Sequence, residues 1–215
     1  MIISHGRKYV FVHIPKTGGT SLALALEARA MKDDIMLGDT PKALKRRRRV
    51  KDAETRGRLW KHSTLSDIDG LVSATDLADM FTFTLVRNPW DRMASYYHWL
   101  RGQSFDHPAV ALAQDTSFEV FLNDTSTQTA QRAWPAGRYM TDVNGEERCS
   151  AYIRLEHFDA DAAPLCAHLG FEIKMEHVNR SGRSAHYADM YSTAMQDIVA
   201  DCCAADIARF GYSFC

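Results

Sequence analysis

Long apolar runs are missing from this 215-residue chain. No uncharged stretch approaches the roughly 18 residues that a membrane-crossing helix needs. The N-terminal MIISHGRKYVFVHIPK has neither a continuous apolar core nor a small-residue cleavage site, which speaks against a secretory signal. Glycine and proline are scarce, at 12 and 6, so a collagen or a Pro/Gly-rich disordered chain is excluded. Cysteine is limited to Cys149, Cys166, Cys202, Cys203 and Cys215, an odd number with no CxxC spacing. Adjacent Cys202 and Cys203 are poorly placed to bridge each other. The pattern excludes a disulfide-built miniprotein, argues against a zinc site, and fits reduced thiols in a cytoplasmic protein. What remains is 46% hydrophobic and 25% charged, an ordinary globular composition. At this length the expectation is one domain, 1–215, with a sizeable core.

The net charge of −1 conceals an asymmetry. Between Lys42 and Lys61 stand ten Lys or Arg against Asp52 and Glu54, a local +8, so the rest of the chain carries −9. A basic segment on an otherwise acidic protein suggests an anionic partner, and residues 42–51 are its densest part. The alternative is a solvated surface helix.

No internal repeat or linker interrupts the chain. Tyr9 to Ile14 (YVFVHI) is apolar, aromatic and β-branched and predicts a buried strand. An Ala/Leu-rich helix follows from Ser21. Phe81 to Val86 (FTFTLV) predicts a second strand, ended by Asn88-Pro89. Trp90 to Arg101 then has helical period, with Met93, Tyr96, Tyr97 and Leu100 on one side. Thr116-Ser117 can cap a short helix through Leu122. Asn144-Gly145 predicts a hairpin turn between two strands. Tyr152 to Leu155 reads as a strand, and Asp159 as the cap of a helix ending near Gly170. Met195, Ile198, Val199, Cys202 and Ala205 mark one face of a last helix. Thr125 to Trp134 gives no clear signal. Strands alternating with helices predict an α/β fold: a central, mainly parallel sheet flanked by helices.

His13-Ile-Pro-Lys-Thr-Gly-Gly-Thr-Ser21 lies between the first strand and its helix. Two glycines let backbone amides turn inward, and a helix N-terminus adds unpaired donors and the positive end of the dipole. Such a P-loop-like place suits a phosphate or similar oxyanion. Lys16 adds a full charge, and Thr17, Thr20 and Ser21 add hydroxyls. The lysine precedes the glycines, whereas the nucleotide triphosphatase loop GxxxxGK[ST] has it after them.

Residues Lys16 to Ser21 resemble the 5′-phosphosulfate loop of sulfotransferases that use 3′-phosphoadenosine 5′-phosphosulfate (PAPS). HIPKTGGTS is most similar to the carbohydrate branch, which contains heparan and chondroitin enzymes and small bacterial relatives. Val86-Arg-Asn-Pro-Trp-Asp-Arg-Met-Ala-Ser-Tyr-Tyr97 is similar to that family's 3′-phosphate motif. The resemblance implies that Lys16, Thr17, Gly18, Gly19, Thr20 and Ser21 hold the phosphosulfate, and that Arg87 and Ser95 hold the 3′-phosphate. A guanidinium fork and a hydroxyl just after a strand suit a dianionic phosphate on physical grounds too. Weaker likenesses cover Ile153–His157, with its Arg154-x-Glu156 pair, and the late loop around Asn179. That loop offers Arg180, Ser181 and Arg183 as phosphate or ribose contacts, with Tyr187 and Tyr191 beyond. Asp206 to Phe214 resembles the closing helix and tail. An ion pair between Arg154 and Glu156 is the plainer expectation there.

Sulfuryl transfer, like phosphoryl transfer, depends on positioning and charge stabilisation. Lys16 is placed to stabilise the leaving phosphate. The sulfuryl group carries less negative charge than a phosphoryl group, so no metal is expected. A hydroxyl acceptor benefits from a base titrating near neutrality. His62 in Trp60-Lys-His-Ser-Thr64 is the candidate, because KHST resembles the family segment that carries the base. His13 reads as structural. The expected protein is a cytoplasmic PAPS-dependent sulfotransferase that acts on a hydroxyl of a glycan, lipid or small molecule, with an amine second. It releases adenosine 3′,5′-bisphosphate (PAP). Segments Met31–Trp60 and Gly102–Trp134 are the candidate acceptor loops. No nucleic-acid partner is expected, while the basic run could touch an anionic surface. The alternatives are a nucleoside or small-molecule kinase and a non-enzymatic module that binds anions through 42–51.

Overall fold

The computed structural model describes residues 1–175 and 186–215. Among them, short aromatic and β-branched segments form the sheet: β1 (Ile2–Ser4), β2 (Tyr9–Val12), β3 (Ile35–Met36), β4 (Phe81–Val86) and β5 (Ala151–Arg154). The helices are α1 (Gly19–Ala28), α2 (Pro41–Arg46), α3 (Ala74–Ala78), α4 (Pro89–Arg101), α5 (Pro108–Asp115) and α6 (Phe118–Asn123). Beyond these come α7 (Thr125–Ala133), α8 (Ala136–Tyr139), α9 (Phe158–Asp161), α10 (Ala163–Leu169), α11 (Thr193–Cys202) and α12 (Ala204–Phe210). No helix among the described residues is long and apolar enough to cross a membrane.

The strand order is β3-β1-β2-β4-β5. Parallel pairing joins β2 to β4, with Phe11 opposite Phe83, and β4 to β5, with Leu85 opposite Ile153. The core of the sheet is parallel, as expected, and its mixed character comes from one side. There β1 pairs antiparallel with both β2 and β3, so the sheet is mixed. Ile2-Ile3-Ser4 is too short to show a period, and it forms a strand only because β2 supplies its ladder.

Two compact units make up the chain. The first contains Met1–Val86 and the chain from Ala136 to Met175. Its core stacks Phe11 on Phe83 at 5.4 Å and closes Leu22 and Leu26 of α1 over the sheet, with Leu85, Ile153 and Leu165. The second contains Arg87–Pro135 and the chain from His186. Its core is the apolar face of α4, with Met93, Tyr97 and Leu100 packed on Phe118, Phe121, Met195 and Val199.

Several local expectations shift. The segment without signal, Thr125 to Trp134, is mostly helix α7, capped where the Asp124 carboxylate accepts from the Thr127 amide at 2.8 Å. Asn144-Gly145 does turn the chain, yet the flanks make only a single bridge between Thr141 and Glu147. Buried Asp142 holds the turn instead, accepting from the Asn144 and Glu146 amides at 2.8 and 3.0 Å. Asp159 caps nothing and lies within α9. The last helix breaks at Cys203, which places Ala205 on α12.

Candidate functional site

In the first unit, β2 ends at Val12 and the chain turns through His13–Gly18 into α1. Lys16 holds φ +66° and Gly18 holds φ +87°. For a non-glycine residue the left-handed region costs about 1–2 kcal/mol. Such strain at Lys16 is a mark of a functional turn. Left-handed residues ahead of a helix start bend successive N–H groups into a concavity that suits an oxyanion. Side chains are barred from both glycine positions. A Cβ on Gly18 would lie 2.9 Å from Leu155 Cδ1, and one on Gly19 would lie 2.2 Å from the ring of His13. Bare backbone is therefore what the loop can offer a bulky anion. This arrangement fits a phosphosulfate.

The hydroxyls do not all serve alike. Thr17 is buried, and its Oγ1 donates to the Ile14 carbonyl at 2.9 Å. A hydroxyl has one hydrogen to donate. Thr17 therefore fixes the loop through its side chain and can give an anion only its amide. Thr20 and Ser21 lie in the first turn of α1.

His62 comes to this loop from 49 residues away. Its Nδ1–H donates to the His13 carbonyl at 2.7 Å. A carbonyl only accepts, so the proton sits on Nδ1 and the Nε2 lone pair is the basic one. The ring meets His13 edge-on at 4.7 Å and Trp60 at 5.0 Å. Burial pushes the His62 pKa down to about 4, against the opposing pull of its bond to the His13 carbonyl. Burial likewise holds His13 well below the usual histidine range. Both rings are neutral at physiological pH.

A recess adjoining His13 and Thr20 is lined by Glu27, Asp39, Thr40 and Lys61 on one part and by apolar Met1, Ile2 and Leu37 on another. Glu27 is buried on α1 and accepts from the Thr40 hydroxyl at 2.6 Å. Sequence reasoning passed over these residues. Their only local trace was a lone acid on the apolar helix LALALEA. At the end of β5, Arg154 is held by Asp161 at 2.7 and 3.0 Å, a partner that the expected Arg154–Glu156 pairing did not include.

In the second unit, Asn88 caps α4 by accepting from the Trp90 amide at 3.1 Å, with Pro89 in the first turn. Arg87, just before the cap, places Nε and Nη2 at 2.7 and 2.6 Å from Asp91 Oδ2. Ser95 lies four residues beyond Asp91 on α4, so the helical repeat puts those two on one face, and Arg87, ahead of the helix, joins them through its ion pair with Asp91. The i,i+4 spacing of Arg87 and Asp91 was legible in the sequence, and Asp91 was overlooked. Tyr191 Oη donates to the Trp90 carbonyl at 2.7 Å, and Asn88 Nδ2 donates to the Ser213 carbonyl at 2.9 Å. Tyr187, its hydroxyl pushed up to about 12 by burial, accepts from the Cys215 amide at 3.3 Å. The C-terminal tail is thus laid over the start of α4. Arg180, Ser181 and Arg183 lie outside the described residues. Among the described residues no cluster of three or more His, Cys, Asp or Glu gathers as metal ligands, and the five cysteines are free thiols.

A turn of bare backbone follows β2, and an arginine and a serine follow β4, its parallel neighbour in the sheet. The chain belongs to the Sulfotransferase family, whose sequence model matches residues 1–213. That membership sets aside the kinase and the non-enzymatic alternatives. Among solved structures, a crystal structure of mouse sulfotransferase SULT7A1 complexed with PAP is similar in fold, at 14% identity and a TM-score of 0.51. The likeness covers 93% of this chain and 83% of that one. No curated protein sequence matches.

Proposed function

We propose that this sulfotransferase takes its sulfuryl group from PAPS and passes it to an acceptor hydroxyl on a glycan, lipid or small molecule, with an amine as second choice. One observation carries the reading. His13 packs its ring on Gly19 of the donor loop and lends its carbonyl to His62, so a single residue couples the oxyanion site to a base of fixed tautomer. The acceptor oxygen attacks sulfur, and its proton passes to His62 Nε2. The bridging S–O bond breaks, and its electron pair stays on the phosphate of PAP, where Lys16 and the loop amides stabilise the charge. Arg87 and Ser95 bind the 3′-phosphate and distinguish PAPS from donors that lack it. The low charge of the sulfuryl group calls for no metal. The single family match over 1–213 supports treating both units as one domain, and the five free thiols support a cytoplasmic setting.

The test is incubation with labelled PAPS and extracts fractionated into lipid, glycan and small-molecule pools, alongside thermal shifts. PAP should raise the melting temperature more than ATP with magnesium does. Equal shifts, with no label transferred to any pool, would overturn the reading.

A further inference from the structure

The basic run is divided by the structure into two sets of cations. Four of them face other parts of the first unit. Lys42 Nζ donates to the Glu27 carbonyl, and Lys61 pairs with Asp39 at 2.5 Å. Arg46 Nη1 donates to the carbonyls of Met31 and Asp34 at 2.8 and 3.2 Å, and Arg49 Nη1 to those of Lys32 and Asp34. These bonds tie α2 and the 3₁₀ turn Arg47–Val50 onto the loop that follows α1. The second set, Lys45, Arg47, Arg48, Lys51, Arg56 and Arg58, is exposed.

Apolar side chains stand out among these exposed cations. Leu44 is 48% exposed, Trp60 45% and Met31 37%. The segments that carry them adjoin through the backbone, while the Met31 side chain itself lies toward Gly6. The Met31 carbonyl is bonded to Arg46, two residues beyond Leu44. A Cβ on Gly38 would lie 3.8 Å from that of Ala43 and 3.9 Å from that of Lys61, so α2 and the Trp60–Lys61 segment flank the same glycine. The Arg58 guanidinium lies 5.8 Å from the centre of the Trp60 ring.

We infer that this surface, α2 with the following 3₁₀ turn and the Met31 and Trp60 segments beside it, docks on an anionic phospholipid bilayer. Cations there meet headgroup phosphates, while leucine, methionine and tryptophan enter the interfacial layer. A nucleic acid or soluble polyanion would engage the arginines but leave Leu44 and Met31 without a role. The remainder of the chain carries −9, so long-range attraction favours turning this face toward a negative surface. Docking requires neither donor nor acceptor and stands independently of the sulfotransfer reading.

The experiment is co-sedimentation of the full chain with vesicles of phosphatidylcholine containing about one-third phosphatidylglycerol, against phosphatidylcholine alone. Binding should require the anionic lipid and weaken with salt. The triple variant Arg47→Gln/Arg48→Gln/Lys51→Gln should bind roughly 100-fold more weakly, at about five-fold per cation removed. Leu44→Ser should also weaken vesicle binding while leaving affinity for a heparin fragment unchanged. Melting curves confirm that the variants fold, since the four tying cations are retained. Absent vesicle binding, binding indifferent to the lipid charge, or an unaltered Leu44→Ser variant would overturn the inference. The last outcome combined with tight heparin binding would point to a soluble polyanion instead.

Discussion

Acidification tests the environment of His62 directly. Its pKa falls from 6.5 to about 4 because burial excludes the charged ring. A group whose pKa is lowered by folding binds protons more readily in the unfolded chain. Stability is therefore full above pH ~6.5 and is lost as pH falls toward ~4. Between about pH 8 and about pH 5, that difference amounts to about 2 kcal/mol from His62 alone, with a limit near 3 kcal/mol at lower pH. Urea unfolding of the wild type and of His62→Gln at both pH values measures it. The variant should lose about 2 kcal/mol less than the wild type, while the contribution of His13, shifted in the same direction, remains in both. Catalysis reports on the same group. His62→Ala should lower turnover about 10²–10⁴-fold, the span usual for general acid–base catalysis, with PAP affinity nearly intact. The acid limb of kcat/KM in the wild type should lie near pH 4 instead of the ordinary histidine range. Parallel stability curves for wild type and variant, or an acid limb that persists without His62, would refute the assignment.

Lys16→Ala should reduce turnover more than it weakens PAP binding, because the charge it opposes grows as the phosphate leaves; single-turnover rates beside calorimetric PAP affinity separate the two. Arg87→Ala should erase most of the preference for PAP over ATP with magnesium in thermal shift, and a preserved preference would move the 3′-phosphate elsewhere. Gly19→Ala should destabilise by about 1–3 kcal/mol, the range for an overpacked core, since its Cβ would fall 2.2 Å from the His13 ring. The same substitution should lower turnover, because the residue whose ring is displaced also supplies the backbone carbonyl that holds His62. An unchanged melting temperature and rate would refute that coupling.

Local chemistry made much of this protein legible from its sequence. YVFVHI and FTFTLV are strands by composition, the Gly18-Gly19 pair before an Ala/Leu run marks the loop and helix start, Asn88-Pro89 ends the second strand, and Ser117 caps a helix. The local shape of the Lys16 and Arg87 segments was readable for the same reason: each lies within one strand–turn–helix, where neighbours in sequence are neighbours in space. Features made by distant partners were not readable. β1 and β3 are too short to show a period and exist because β2 and β1 supply their hydrogen bonds. Asp161 took Arg154 across a helical turn that composition did not announce. The basic run looked uniform in sequence, yet backbone carbonyls at Met31, Lys32 and Asp34 tie down the guanidinium groups of Arg46 and Arg49, while Arg47 and Arg48 face solvent. His62 stands out in sequence by its place between the two motifs and by the likeness of KHST to the family segment. Its tautomer, its depressed pKa and its link to the loop before α1 were decided by burial and by the His13 carbonyl, which tertiary folding brings to it from 49 residues away.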